Sequence, residues 1–211
     1  MTSTTRATSS IEQRIRTFLK TGRNHEGPFL SPTLVRLNSW ILSVPTPEFD
    51  GHLDGIAAKA RLGDGRDLIA HLADSLIADA DETERKLLWK SLQEMLFYCV
   101  GLEDLTCQEL KRRLQHYVDR HGASSFIRMF LSLYFFNFVW FETSESFQAF
   151  AWTPDSFQKN MEAVERFCQR IVASAWKTFE QMHAPLDLAA AHVLEREIEE
   201  QLRGAPFGGL R

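Results

Sequence analysis

The residues able to do chemistry in this chain are scattered. Seven histidines stand at positions 25, 52, 71, 116, 121, 183 and 192. His116 and His121 are five apart, not the four that puts two ligands on one helix face. Cys99, Cys107 and Cys168 are odd in number and lack the short paired spacings of a zinc site, so they read as buried free thiols and not as a disulfide framework or structural metal. The acids from Asp79 to Glu84 lack the glycine and closing glutamate of a calcium loop; they suit a helix N-terminus, whose exposed N–H groups favour negative charge. No phosphate-binding glycine loop, dinucleotide fingerprint, metalloprotease helix or nucleophile elbow is present. No cofactor and no metal is implied. One spacing remains, an arginine and a histidine five apart in Arg66-Asp67-Leu68-Ile69-Ala70-His71.

That hexapeptide resembles the Arg-x4-His signature of HEPN ribonucleases, which are all-helical. The resemblance covers six residues and implies metal-independent RNA cleavage. His71 would shuttle a proton during attack of the RNA 2′-hydroxyl and Arg66 would stabilise charge on the phosphate, with the pair duplicated across a dimer. A second alternative is a helical transcription regulator with basic N-terminal helices on DNA and a C-terminal bundle that binds a ligand or dimerises. Residues 1–36 carry six basic residues against Glu12 and Glu26, which fits. The connection within Thr21 to Trp40 is long and contains Gly and Pro, where a helix-turn-helix needs a tight turn. Nucleic acid is therefore not the favoured partner, since no basic run is interleaved with stacking aromatics.

The element that must organise these residues is Phe126 to Trp140, dense in aromatics and apolar on nearly every side of a helix. It is shorter than the about 20 residues needed to span a bilayer, and Arg128, Ser132 and Asn137 interrupt it. The polar Ser/Thr tract Met1 to Ser10 has no apolar core, so neither signal peptide nor anchor is expected, and the protein is placed in the cytoplasm with no membrane contact. At 3.6 residues per turn, Arg128, Ser132, Phe135, Val139 and Glu142 share one strip, the edge expected to reach solvent or a partner. Asn137 projects from the opposite side and must be satisfied inside.

Around it, helix signals recur along the chain. Ile11, Ile15, Phe18 and Leu19 share a face, with Gly22 as the stop. Ser31-Pro32 starts a helix that Pro45 and Pro47 end. A marginal segment follows from Leu53, then a helix from Asp64 to near Asp79, one from Asp81 to Gly101, and one opened by a capping box at Thr106 to Glu109 and ended at His121-Gly122. The aromatic helix should break at Glu142 to Ser146. Thr153-Pro154 then starts the longest helix, whose stripe is Phe157, Met161, Val164, Cys168, Ile171, Ala175 and Met182. Pro185 leads into the last, closed by Gly204.

The expected organisation is a disordered tail at 1–10, a helical pair at 11–44, a linker at 45–52, a main bundle at 53–204 and a flexible tail at 205–211. The fold expected is all-α, an irregular bundle of about eight or nine helices with the aromatic helix at its centre. Sixteen Phe and five Trp against three Tyr imply a dry core or a hidden interface. With rich apolar faces and no catalytic motif, the leading expectation is a non-enzymatic interaction protein, an adaptor, regulator or small subunit of a cytoplasmic complex. It would meet another protein, or further copies of itself, through an apolar helical face.

Overall fold

A computed structural model describes residues 11–17, 19, 30–60, 65–77, 80–101, 105–150, 153–182 and 184–204, the side chains of 144–150 excepted. Among the described residues all regular structure is helical: α1 (11–17), α2 (Leu30–Ser43), α3 (Pro47–Ala57), α4 (Gly65–Leu76), α5 (Glu82–Val100), α6 (Cys107–His121), α7 (Ala123–Phe150), α8 (Pro154–Gln181) and α9 (Leu188–Arg203). The all-α class and the helix number are as the periodicity predicts. The tails at 1–10 and 205–211, the caps at Gly22 and Asp64 and the stop at Asp79 lie outside the described residues.

Helix ends fall where side chains can supply the missing hydrogen bonds. The Asp81 carboxylate accepts from the Thr83 and Glu84 amides at the start of α5, both at 2.9 Å. Thr153 and Ser156 form a reciprocal capping box on α8, each backbone N–H donating to the other's hydroxyl at 3.2 Å. At α6 only half of the expected box forms. Thr106 accepts from the Glu109 amide, but the Glu109 carboxylate is taken by Arg112 and Arg113. Gly204 closes α9 in the left-handed region at φ 78°, with the Arg16 guanidinium packed where a side chain would start.

α7 is the hub. It packs against α2, α5, α6 and, most extensively, α8, with which it forms a helical hairpin. Trp140 meets Phe157 edge-on across that hairpin at 5.2 Å. Phe126 and Phe130 are fully buried on α7, and Phe126 lies 6.2 Å from Trp40 of α2 and 6.0 Å from Tyr117 of α6. Burying each such ring contributes on the order of 2 kcal/mol.

Two expectations about boundaries change. The stretch 45–52, read as a linker, is for the most part the start of α3, whose N-terminal turn accommodates Pro47 and whose Phe49 is buried 5.2 Å from Trp40. One continuous buried cluster runs from Ile15 and Leu34 through Phe130 to Leu202, taking in residues from both 11–44 and 53–204. The polar stretch Glu142 to Ser146 does not break α7, which continues to Phe150. The helix is therefore longer than its aromatic run, and Ala123–Thr143 has the length and composition to cross a membrane. Length excludes nothing here; 44% of that segment is buried within the bundle.

Candidate functional site

The central helix is not covered all round. Ser125, Arg128, Met129, Ser132, Leu133 and Phe136 step by threes and fours along α7 and form the floor of an open groove of about 560 Å³. Glu94 and Tyr98 of α5 make one wall with Tyr117 of α6, and Glu165, Gln169, Val172 and Ala173 of α8 make the other. The floor spans twelve residues, about 16 Å of helix from Ser125 to Phe136. Tyr98 stands 76% exposed at its lip.

The polar groups of the groove are fixed from beneath. Asn137 is 2% exposed; its amide donates to Ser91 Oγ at 3.0 Å and Glu94 Oε2 at 2.8 Å, and its carbonyl accepts from Lys90 at 2.8 Å. The expectation of a satisfied buried amide holds, with α5 side chains as the partners. Arg128 donates to Ser125 Oγ at 3.1 Å, and the Ser132 hydroxyl donates to the Arg128 carbonyl at 2.8 Å. The charged groups that line the groove are Arg128, Glu94 and Glu165.

A second pocket of about 320 Å³ shares Tyr98 and Tyr117 with the groove and is otherwise lined by Cys99, Arg112, Arg113, His116, Arg120 and His121. Glu109 holds Arg112 through two hydrogen bonds of 2.8 and 2.7 Å and Arg113 through one of 2.5 Å. Those contacts, that to Arg112 first, hold the Glu109 carboxyl at about 2. Arg113 also donates to the Val100 carbonyl. Burial pushes the Cys99 thiol up to about 12, and burial followed by the nearby Cys99 and Tyr98 takes the Tyr117 phenol to about 12. The pocket offers basic side chains and aromatic surface.

The sequence-predicted edge is split by the fold. Arg128 is exposed and Ser132 half-buried, both on the groove, and Glu142 is half-buried. Phe135 and Val139 are a correction: at 2% and 0% exposure they belong to the buried cluster, Phe135 edge-on to Tyr134 at 5.1 Å. The open sector of α7 is turned by about 70° around the axis from the predicted strip and meets it only at Arg128 and Ser132. Met129, Leu133 and Phe136 were missed because apolar identity cannot separate a covered face from an open one. Tyr98, Tyr117, Glu94 and Glu165 were missed because they reach the groove from three other helices.

Arg66 and His71 both lie on α4, Arg66 exposed and His71 3.8 Å from Asp67. Five positions on one helix set their side chains about 140° apart, so the helix does not bring the pair together. Among the described residues no group of three or more His, Cys, Asp or Glu is placed to hold a metal ion.

No protein family, curated protein or solved structure matches this chain. The functional reading therefore rests on the groove and its neighbouring pocket.

Proposed function

We propose that the chain is a non-enzymatic interaction protein, an adaptor, regulator or small subunit of a larger cytoplasmic complex, which receives a helical segment of another protein in the groove over α7. The observation that carries this is the uncovered stripe of the central helix, with an apolar floor of Met129, Leu133 and Phe136 between two flanking helices. A single amphipathic helix laid along that floor completes the packing around α7 and presents apolar side chains at every third or fourth position. Tyr98 and Arg128, of the types that most often dominate interface energies, stand at its lip. The polar rim of Arg128, Ser132, Glu94 and Glu165 suits a peptide better than lipid tails.

Ala173 is exposed on the α8 wall, so Ala173→Arg fills the groove with little effect on folding. Affinity isolation of the full chain from its native lysate, beside this variant and an exposed-site control such as Gln181→Arg, is the test. The reading requires a protein recovered with the wild type and the control and lost with Ala173→Arg. Equal recovery with all three overturns it, as does loss of self-association alone, which would make the occupant a second copy.

A further inference from the structure

We propose that the pocket between the end of α5 and α6 binds carboxylate side chains, so that the segment docked over α7 continues into an acidic run. This rests on the groove reading and adds the chemistry of the occupant. The two cavities share Tyr98 and Tyr117 as a common wall, so a chain leaving the groove past Arg128 enters the second pocket directly. Arg112, Arg113, Arg120, His116 and His121 line it, and among the described residues no acidic side chain does. Glu109 and the Val100 carbonyl hold Arg112 and Arg113 in place, which spares an incoming carboxylate the cost of ordering them. Arg120 forms no ion pair among the described residues. The groove itself carries the opposite sign, with Glu94 and Glu165 among its lining residues. The acidic run of the occupant therefore belongs in the pocket and not along the groove.

Nucleic acid is the competing source of negative charge. It fits less well because the groove continuing from the pocket has an apolar floor and carries two acids against one base. The test is fluorescence anisotropy of the full chain at low salt with labelled oligoglutamate, oligolysine and single-stranded RNA probes, beside Arg120→Glu and Gln181→Arg. Arg120 is exposed at the end of α6, so its replacement leaves the fold intact. The expected result is saturable oligoglutamate binding, weakened by about tenfold or more in Arg120→Glu and unchanged in the exposed-site control Gln181→Arg. Equal binding of oligolysine, or an Arg120→Glu affinity equal to wild type, overturns the inference. Tighter binding of RNA, lost in the same variant, overturns it in favour of a nucleic-acid site. Oligoglutamate binding that survives while Ala173→Arg loses no protein separates a sound pocket from a failed groove.

Discussion

The amide of Asn137 and the carboxylate of Glu94 lie 2.8 Å apart, and through that bond a side chain closed in the core fixes an acid on the rim of the groove. Lys90 and Ser91 complete the junction from the same face of α5. Asn137→Ala removes one acceptor and the donor that Ser91 and Glu94 share. Destabilisation by about 2 kcal/mol is expected in urea unfolding, because a buried hydroxyl and a partly buried carboxylate lose their partner. A loss below about 0.5 kcal/mol would show that water replaces the amide without penalty.

Glu195 gives the chain a pH dependence. It faces Ser31, whose hydroxyl donates to it, with Glu84 and Glu199 close enough to oppose its charge. Burial is the largest cause of a carboxyl raised from 4.5 to about 7; Glu199 and Glu84 add to it, and the Ser31 bond opposes it. The folded state therefore keeps a proton that the unfolded chain releases near 4.5. Between those two values the folded state binds more protons, so stability falls as pH rises through the window and the loss is complete above about 7. Glu195→Gln keeps an acceptor for Ser31 and removes the charge. It should raise stability by up to about 3 kcal/mol at about pH 8 and change it little near pH 4. Parallel pH profiles for the two proteins would contradict this.

The capping box of α8 holds the hairpin on which the groove wall depends. Thr153→Ala is expected to cost about 1 kcal/mol, and Thr153→Ser to recover most of it, because the hydroxyl is the acceptor for the Ser156 amide. Thermal melting of the three proteins reads this directly, and equal midpoints for Thr153→Ala and wild type would remove the cap from the account.

Much of the architecture was legible because caps and periodicity are local. Asp81 and Thr153 mark their helix ends by a side-chain acceptor and Gly204 by its freedom to take a positive φ, local features that need no tertiary context. Pro47 misled because the same residue that stops one helix can begin the next. The site was legible only at Arg128 and Ser132. Which sector of an all-apolar helix stays open is set by where α5, α6 and α8 lie, and Phe135 and Leu133 look alike until those helices are in place. The basic pocket joins residues from α5 and α6 whose adjacency no spacing encodes.

The central claim is that a helix of another protein lies along α7. Its most direct measurement is photo-crosslinking in native cells from a reactive phenylalanine analogue at Ser132 on the floor and, separately, at Ala173 on the wall, with the adducts mapped by mass spectrometry. The account predicts that both positions label one protein within a single segment, at residues three or four apart, as a helix in a groove requires. Adducts to different proteins from the two positions, or no protein adduct from either, would contradict it.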